Sequence, residues 1–453
     1  MIIESHKLSG ACACGQTHTP TTRLAIIESG CLKDLDDLLA AEGLTGRRAA
    51  IYDTNTYQAK GLLRPHADQD IVLSADGLQT DDQAISAVLQ QLSADVDLLI
   101  AVGTGTIHDI TRYCAHKLGL PFISCPTAAS GDGFASNACT LFEDGLPTIV
   151  PAAAPVLVLA DLEVIRRAPL RLARAGIGEA ISKFTALADW KTAHILMEKT
   201  PCITVESMIR QAAITAQGTC KTLRALDAGS HAQLMYALLL SGLAVQLQGN
   251  TAPARGAEHH LGDLLALLPQ PHAQEDLLHG EVAGICSLLV SDLYHRLATL
   301  EDIQPSVKAA KPLEEETLAR TFGPAVATRL LAENTPDCLA KVSASRLTEH
   351  WAEIRHIIAE IPTNAELSAM LSGCKARKTA EDLGLSDTRI PRLLQLAPVM
   401  HNQVTLLRVM RMLKFRYDSK AIASRAPSRS KRYADKAISR AGKRSAVSSS
   451  SMR

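Results

Sequence analysis

A carboxylate and two histidines in the second half of the chain have the side-chain types that hold a catalytic metal ion. Glu179 ends the motif GIGE, His259 lies in GAEHH and His279 lies in LLHGE. One carboxylate and two imidazoles form a ligand set for a divalent metal that keeps a position open for substrate. These residues therefore indicate metal-assisted chemistry.

A glycine turn upstream of these motifs is typical of a dinucleotide site. Gly103 and Gly105 follow the apolar run Leu98–Val102 and precede a predicted helix over Asp109–Leu118. Glycines at such a turn let backbone N–H groups approach a pyrophosphate, and the helix N-terminus adds positive potential. His108 stands where the usual fingerprint has its third glycine, so a tight strand-to-helix turn without a ligand stays an alternative.

The loop PTAASGDGFAS follows the next apolar run and adds small hydroxyl groups to the nucleotide end. Thr127 and Ser130 are able to hydrogen-bond ribose or phosphate oxygens, and Asp132 is a candidate to hold a substrate hydroxyl. A structural turn rarely needs so many small polar residues in succession. A nucleotide site together with a metal site predicts redox chemistry on a small alcohol or carbonyl compound.

Asp53 closes the apolar run Ala49–Tyr52 and is the candidate for the adenosine ribose. A carboxylate there would accept hydrogen bonds from the ribose and repel a 2′-phosphate, which favours NAD over NADP. Because Asp53 precedes the glycine turn instead of following it, an Asx turn in YDTN is an equally open interpretation.

The elements that must position these residues fall into two parts. From about residue 22 to about residue 160, short apolar runs alternate with helical patterns, which predicts a parallel sheet with helices on both faces. From about Pro169 onward the apolar spacing is helical. The predicted fold is therefore an α/β dinucleotide-binding domain over residues 1–165 and an all-α metal-binding domain over residues 166–413. The strand predictions are Leu24–Ile27, Ala49–Tyr52, Ile71–Leu73, Leu98–Val102, Phe122–Cys125 and, as a strand or extended connector, Val156–Ala160; the further helix predictions are Leu32–Ala41, Asp82–Leu92, Ala180–Glu198, Val205–Leu226, Ala232–Leu247 and Val282–Leu297.

The composition predicts a globular cytoplasmic protein with an unusual end. Hydrophobic residues make up 47% and charged residues 21%, and the 11 cysteines are scattered and odd in number, which indicates free thiols. The N-terminus lacks a signal-peptide pattern, and no apolar run approaches the roughly 18 residues needed to span a bilayer. Residues 414–453 carry 12 Lys/Arg against 2 Asp/Glu, which predicts a disordered, solvated tail. Contact of this tail with nucleic acid or anionic lipid is the alternative, and no clear nucleic-acid role is expected.

Five motifs together resemble a known family. VGTGTIHDITRY, PTAASGDGFAS, GIGEAISKFTALADWK, GAEHH and LLHGE occur in this order and at comparable separations in bacterial sn-glycerol-1-phosphate dehydrogenases. These enzymes belong to the iron-containing alcohol dehydrogenase and dehydroquinate synthase-like superfamily, and the likeness runs from about residue 20 to about residue 412. It implies an active site in a cleft between the two domains, a homodimer, and reduction of dihydroxyacetone phosphate to sn-glycerol 1-phosphate.

The resemblance also implies roles for individual residues. The cofactor would be NAD or NADP, the substrate a small phosphorylated three-carbon compound, and the metal zinc, nickel or iron. By position, the dinucleotide would be bound by Gly105, Thr106, Asp109, Thr127, Ser130 and Ser136, the substrate by Asp132, and the metal by Glu179, His259 and His279.

Two positions depart from the family pattern. Glu179 stands where these dehydrogenases commonly carry Asp, and Asp263 stands where the stretch EHxxxH has its second, substrate-contacting histidine. Positions 259 and 263 share a helix face, whereas His260 is rotated by about 100° and cannot replace that histidine. Asp263 would accept a hydrogen bond from substrate or add an oxygen ligand, but it would repel a bound phosphate unless the metal or a base screens it.

Three alternatives stay open. They are a glycerol or polyol dehydrogenase, a dehydroquinate synthase-like lyase, which shares the Glu ligand and the LHGE motif, and a catalytically impaired nucleotide-binding homologue, which follows from Asp263.

Two further groups are weaker candidates. Cys12, Cys14 and His18 have a spacing that suits zinc, but no obvious fourth ligand follows, so a reduced N-terminal turn is the alternative. Lys183 lies one turn after Glu179, where it would meet a phosphate or remain a solvated helix lysine.

Overall fold

The computed structural model of the protein describes residues 1–143, 146–268 and 277–415. Its strands are Ile2–Ile3 (β1), Gly10–Ala11 (β2), Thr17–His18 (β3), Leu24–Glu28 (β4), Arg47–Asp53 (β5), Gln69–Leu73 (β6), Val96–Gly103 (β7), Phe122–Pro126 (β8), Ala138–Glu143 (β9), Leu146–Pro151 (β10) and Leu157–Asp161 (β11). Its α-helices are Leu35–Ala41 (α1), Thr54–Tyr57 (α2), Asp82–Gln91 (α3), Gly105–Leu118 (α4), Leu162–Ile165 (α5), Leu170–Ile181 (α6), Lys183–Leu196 (α7), Ile203–Thr219 (α8), Ala228–Gln248 (α9), Ala257–Leu267 (α10), His279–Leu297 (α11), Glu315–Phe322 (α12), Pro324–Glu333 (α13), Ala344–Glu349 (α14), Trp351–Ala359 (α15), Asn364–Gly373 (α16), Ile390–Leu396 (α17) and Leu406–Val409 (α18). Short 3-10 helices lie at Ser5–Leu8, Cys31–Asp34, Gly133–Ala135, Gln304–Ser306, Cys338–Lys341, Ala380–Leu383, Ala397–Val399 and Met410–Met412.

A seven-stranded sheet in the order β1-β4-β11-β8-β7-β5-β6 forms the centre of the N-terminal part. Every neighbouring pair is parallel except β1 and β4. Alternate residues of β7 enter two separate apolar clusters: Ile100 packs with Leu35 of α1, whereas Leu99 and Ala101 pack with Ile107 of α4. Helices therefore cover both faces of the sheet, which is why its inner strands are continuous apolar runs.

The C-terminal part is helical, as predicted, and its longest helix is a core helix. In the described part of the chain, only α9 has the length and mean hydropathy, 1.2, of a candidate membrane span. However, 78% of that 18-residue window is buried inside the structure. α9 packs against α8 and α6, so its apolar surface faces protein on most sides.

Most predicted elements are present, and the differences have local causes. The single helix predicted over Ala180–Glu198 is divided, because α6 ends at Ile181 and α7 begins at Lys183. At the break, the Ser182 hydroxyl donates to the Glu179 carbonyl at 2.7 Å, which offers the backbone an alternative to its helical bond. The β9–β10 hairpin was not predicted. The predicted tail, apart from its first two residues, lies outside the described residues.

Candidate active site

Three helices of the C-terminal part bring Glu179, His259 and His279 together. Glu179 lies near the end of α6, His259 in the first turn of α10, and His279 at the start of α11. Glu179 Oε1 is 3.3 Å from His259 Nε2, and Glu179 Oε2 is 3.4 Å from His279 Nε2. All three candidate ligand atoms lie within 4.8 Å of one another. Glu179 and His259 are buried, whereas the His279 side chain is 58% exposed, so the cluster is open on one side.

Close packing at glycines makes this convergence possible. A Cβ on Gly178 would lie 2.1 Å from the carbonyl oxygen of Gly280, and a Cβ on Gly280 would lie 2.1 Å from that of Ala175. α6 and α11 therefore touch backbone to backbone, which only glycine allows at these positions. Because Glu179 follows Gly178 and His279 precedes Gly280, the same helix crossing joins the two side chains.

A buried carboxylate fixes the orientation of the His259 ring. Glu258 Oε1 lies 2.8 Å from His259 Nδ1 and also accepts the Gly256 N–H at 2.7 Å, while its Oε2 accepts the Thr185 hydroxyl at 2.7 Å. Burial alone would raise the pKa of Glu258, but these hydrogen bonds lower it below its ordinary value. An ionised Glu258 holds the proton on Nδ1 and leaves the Nε2 lone pair of His259 directed at Glu179.

The chemistry of this donor set fits a metal cation. Among the described residues, Glu179 Oε2 and His259 Nε2 are buried side-chain atoms without a hydrogen-bond partner. A buried carboxylate oxygen and an imidazole lone pair facing each other cost free energy unless a cation or a proton lies between them. The carboxylate and the two imidazoles are ligands that zinc, nickel and iron accept.

Lys183 connects this cluster to Asp132. Its side chain is fully buried, and its Nζ donates to Glu179 Oε1 at 2.5 Å and to the Ala254 carbonyl at 2.9 Å. The same Nζ lies 2.9 Å from Asp132 Oδ2, which also accepts the Ser241 hydroxyl at 2.7 Å. Burial alone would lower the pKa of Lys183, but the charges of Asp132 and Glu179 raise it. The interpretation of Lys183 as a solvated helix lysine is wrong.

The loop that carries Asp132 lies directly against the helical part. A Cβ on Gly176 of α6 would lie 2.1 Å from the carbonyl oxygen of Ala129, and a Cβ on Gly242 of α9 would lie 2.5 Å from that of Asp132. The loop after β8 and the Glu179 cluster therefore face the same region, between the two parts of the molecule.

The two predicted nucleotide loops lie at adjacent strand ends. Gly103, the last residue of β7, pairs with Pro126, the last residue of β8, and its carbonyl accepts the Thr127 N–H at 3.0 Å. α4 begins at Gly105, four residues earlier than predicted, so Gly105 and Thr106 form its first turn. A Cβ on Gly105 would meet nothing within 4 Å, so space is open at this helix N-terminus. Ser130 is partly exposed on the neighbouring loop.

Asp53 has a local partner in the structure. It is the N-cap of α2, where its Oδ1 accepts the Thr56 N–H at 2.7 Å and its Oδ2 accepts the Thr56 hydroxyl at 3.1 Å. This is the short polar turn that the motif YDTN indicates. Each carboxylate oxygen keeps a second lone pair, so contact with a ribose stays a prediction.

Asp109 and Ser136 also contact the protein itself. Asp109 Oδ2 accepts the Thr140 N–H at 3.2 Å, and Ser136 Oγ accepts the Ala138 N–H at 3.1 Å. The buried Arg112, which was not predicted as a site residue, donates to the Ala138 carbonyl at 2.7 Å and lies 3.6 Å from Asp109. These contacts fix the segment after Asp132, and a cofactor role for Asp109 and Ser136 stays a prediction.

Comparison with known proteins identifies the family. Residues 26–169 match the family model of iron-containing alcohol dehydrogenases. A glycerol-1-phosphate dehydrogenase [NAD(P)+] from Bacillus licheniformis is 34% identical over 302 residues, covering 64% of this chain and 75% of its own. The chain belongs to the glycerol-1-phosphate dehydrogenase family.

Other relatives extend the likeness along the chain. The family member from Halalkalibacterium halodurans is 27% identical over 419 residues, which covers 90% of this chain and 97% of its own. Among solved structures, a probable glycerol dehydrogenase from Sinorhizobium meliloti has a TM-score of 0.57 at 16% identity, covering 89% of this chain and 94% of its own. That likeness shows the shared fold of an α/β domain and a helical domain.

Asp263, which the resemblance predicts to be a departure from the family pattern, contacts two cationic side chains in the structure. Asp263 Oδ2 lies 2.8 Å from His401 Nε2 and accepts Arg255 Nη2 at 3.0 Å. Burial alone would raise the pKa of Asp263, but Arg255 and His401 lower it, so Asp263 is ionised. Burial would lower the pKa of His401, but Asp263 and Glu333 raise it to about 9. Two cations therefore screen Asp263, as the sequence analysis required.

Three residues of the site were not predicted from their motifs: Arg255, Glu258 and His401. Arg255 and Glu258 lie within four residues of His259, so a search of the flanking sequence would have found them. His401 is 138 residues beyond Asp263 and has no local motif, so only the fold reveals it.

Proposed function

We propose that this protein is a metal-dependent NAD(P)H dehydrogenase that reduces dihydroxyacetone phosphate to sn-glycerol 1-phosphate. The observation that carries this proposal is the cluster of Glu179, His259 and His279, which Lys183 joins to Asp132 in a chain of the glycerol-1-phosphate dehydrogenase family.

Glu179, His259 and His279 hold the divalent metal, and Glu258 keeps His259 in the tautomer that binds. When bound, the ion acts as a Lewis acid toward the substrate carbonyl oxygen. Lys183 neutralises part of the charge that Glu179 and Asp132 bring into a buried site. It also fixes the distance between the metal ligands and the loop of Asp132.

Asp132 is the substrate-binding carboxylate of this proposal. Lys183 and Ser241 both contact its Oδ2, which orients the side chain and leaves Oδ1 to accept a hydrogen bond from a substrate hydroxyl. The side chain is 22% exposed, so it reaches the open region beside the cluster.

The dinucleotide site comprises two loops and, at the adenosine end, Asp53. Gly105 and Thr106 offer backbone N–H groups in the first turn of a 14-residue helix, and Gly103 ends the strand that leads into it; this helix N-terminus favours a pyrophosphate. Thr127 and Ser130 lie on the adjacent loop, and both residues are partly exposed. When bound, NADH or NADPH supplies the hydride.

Arg255 and His401 serve the substrate phosphate in this proposal. Both are cationic groups that contact Asp263, and His279 is close enough that its charge affects the pKa of Asp263. The two positive charges of Arg255 and His401 stand against the carboxylates of Asp263 and Glu333, so the Asp263 charge is compensated and Asp263 positions the cations for the phosphate.

We also propose a homodimer in the cytoplasm, with a domain boundary at residues 165 and 166. That boundary falls between the end of α5 and the start of α6. Ile203 and Ile214 are 70% and 48% exposed and lie 11 residues apart on α8, about 20° from one another around its axis. Leu226, just beyond α8, is 60% exposed. Light scattering of the wild type and Ile214→Lys tests this dimer: the wild type runs as a dimer and the variant as a monomer.

The activity is tested with the purified full-length protein reconstituted separately with zinc, nickel or iron(II). We expect oxidation of NADH or NADPH that depends on dihydroxyacetone phosphate and on the metal, and a product that an sn-glycerol-3-phosphate-specific dehydrogenase does not oxidise. Dihydroxyacetone, which lacks the phosphate, is the matched control and should react at least about 10²-fold less efficiently if buried cations bind the phosphate. Equal rates with both ketones, or no turnover with any of the three metals, would contradict the proposal.

A further inference from the structure

A second cluster of metal-ligating side chains lies outside the active site. Cys12, Cys14 and His18 come from the N-terminal segment, and Cys202 comes from the start of the helical part. Their four candidate ligand atoms lie within 4.8 Å of one another. We propose that Cys12, Cys14, His18 and Cys202 hold a structural zinc ion, which the proposed dehydrogenase activity neither requires nor explains.

The distances match the edges of a tetrahedral site. With zinc–sulfur and zinc–nitrogen bonds of about 2.3 and 2.05 Å, a tetrahedron has sulfur–sulfur edges of about 3.8 Å and sulfur–nitrogen edges of about 3.6 Å. Cys12 Sγ and Cys202 Sγ are 3.8 Å apart. His18 Nε2 is 3.6 Å from Cys14 Sγ and 3.3 Å from Cys202 Sγ. A disulfide needs sulfur atoms about 2.05 Å apart, so Cys12 and Cys202 stand at the distance of two ligands that share a metal instead.

A tight hairpin presents three of the ligands. β2 and β3 pair antiparallel, and between them the Cys12 N–H donates to the Gln16 carbonyl at 2.8 Å and the Gly15 N–H donates to the Cys12 carbonyl at 2.9 Å. Gly15 has a φ of +88°, a conformation that favours glycine and lets the chain turn between Cys14 and His18. The turn therefore points two thiols and an imidazole to one side.

The histidine has the ring orientation that a zinc ligand needs. His18 Nδ1 lies 2.9 Å from the carbonyl oxygen of Leu247 in α9, so Nδ1 carries the proton and donates it there. His18 Nε2 is then the lone-pair atom and faces the thiols. His18 and Cys202 are 4% and 3% exposed, so the site is closed on the protein side.

Three thiolates and one imidazole are a ligand set typical of structural zinc. The site joins the N-terminal hairpin to the N-cap of α8, and through His18 to α9. A zinc ion there would tie the segment before β4 to the helical part, in addition to the chain connection through α5 and α6.

Cobalt(II) substitution of the full-length wild type tests the site directly. A thiolate–cobalt bond gives charge-transfer absorption in the near ultraviolet, whereas the Glu179 cluster contains no sulfur and gives none. We expect this band together with the intense visible bands of tetrahedral cobalt. Cobalt binding without the thiolate band, or a Cys12–Cys202 disulfide found by peptide mapping of protein purified under reducing conditions, overturns the proposal.

Variants locate the band and measure its effect. Cys202→Ser should abolish the band, remove one zinc per chain, and make the first 20 residues sensitive to protease. Cys338→Ser, at a half-buried thiol outside the cluster, should change none of these readouts. If Cys202→Ser does not fold, a mercurial reagent on the wild type replaces it: thiol modification should release one zinc per chain, and modification without zinc release overturns the proposal.

Discussion

The Glu179 cluster and the thiol cluster are both sets of metal-ligating side chains, but they are built in opposite ways. The first takes oxygen and nitrogen atoms from three long helices, and the exposed His279 leaves one side open. The second takes three sulfurs and one nitrogen, mostly from a seven-residue stretch of hairpin, and completes four positions. An open coordination position suits catalysis, and a complete tetrahedron suits structure.

The difference teaches that local sequence spacing and helix packing are separate routes to a metal site. At the open site no two ligands are close in sequence, and glycine contacts between helices do the positioning. At the closed site, the backbone hydrogen bonds of one turn position three ligands, and the fourth ligand comes from a distant part of the sequence. Substitutions should therefore affect the two sites independently.

The largest expected effect follows His279→Ala. Loss of a ligand from the open site should lower kcat with dihydroxyacetone phosphate by at least about 10³-fold, because stabilisation of the developing oxyanion is lost. The His279 side chain is 58% exposed, so the unfolding midpoint should change little. Steady-state kinetics and metal analysis of the same preparation measure both effects.

His295→Ala is the matched control, because His295 lies on the same helix and its Nε2 lies 2.9 Å from the Ile361 carbonyl oxygen, outside the set of metal ligands. It should retain activity and both metals. If His279→Ala also removed the thiol-bound zinc, the expectation that the two metal sites respond independently to substitution would be wrong.

Gly178→Ala should have the next largest effect. The added methyl group would lie 2.1 Å from the Gly280 carbonyl oxygen, so α6 and α11 must separate. We expect a loss of about 1–3 kcal/mol in the free energy of unfolding, as for an overpacked core, together with weaker metal binding at the open site. Urea denaturation and metal titration are the measurements.

Gly218→Ala in α8 is the control for helix propensity. A Cβ there meets nothing within 4 Å, so this variant should gain up to about 1 kcal/mol. Equal stability changes in the two variants would show that the α6–α11 contact does not set the site geometry.

Much of the fold was predictable from the sequence, because strands that are buried on both faces of a sheet contain runs of apolar residues. β5, β7, β8 and β11 each contain one of the predicted apolar runs, and each strand lies where its run predicts. The break between α6 and α7 was missed, because the apolar spacing continues across Ser182 and the interruption comes from one side-chain hydrogen bond. The spacing of apolar residues in the sequence does not show whether a side chain makes such a hydrogen bond.

The open site was predictable as a set of residues but not as a network. Glu179, His259 and His279 stand in recognisable motifs, whereas His401 reaches Asp263 from 138 residues away. Lys183 looked like any helix lysine, since its burial depends on how α7 and the Asp132 loop pack. The fourth ligand of the thiol cluster, Cys202, was missed for the same reason: 184 residues separate it from His18.

Glu258→Gln tests how the groups that orient the histidine ligands differ between the two sites. A buried carboxylate orients His259, whereas a backbone carbonyl orients His18. Glutamine keeps the shape but removes the charge, so metal affinity at the open site should fall about 10–100-fold. Competition with a chelator measures the affinity, and zinc at the thiol cluster should be unchanged. An unaltered affinity at the open site would exclude Glu258 as a positioning residue.

The smallest effect concerns charge at the rim of the open site, and it depends on pH. The pKa of His401 is about 9 in the folded protein and about 6.5 in the unfolded chain, so its pairing with Asp263 stabilises the fold fully below pH 6.5. Between pH 6.5 and pH 9 the unfolded chain releases the His401 proton, whereas the folded protein keeps it. The stabilisation from protonated His401 therefore decreases as pH rises and is lost above about pH 9. His401→Gln should therefore cost roughly 1–2 kcal/mol at pH 6, since Arg255 still pairs with Asp263, and almost nothing at pH 10.

Urea denaturation of wild type and His401→Gln at the two pH values measures that difference. His356→Gln, at an exposed histidine whose Nδ1 contacts only the Ala352 carbonyl of its own helix, is the control and should give the same small change at both pH values. A His401→Gln penalty that is equal at pH 6 and pH 10 would mean that His401 acts through packing and not through charge. Asp263 would then depend on Arg255 alone, and KM for dihydroxyacetone phosphate should hardly respond to His401→Gln. A penalty confined to low pH, together with a raised KM that follows the same pH range, places the positive charge of His401 at the substrate phosphate.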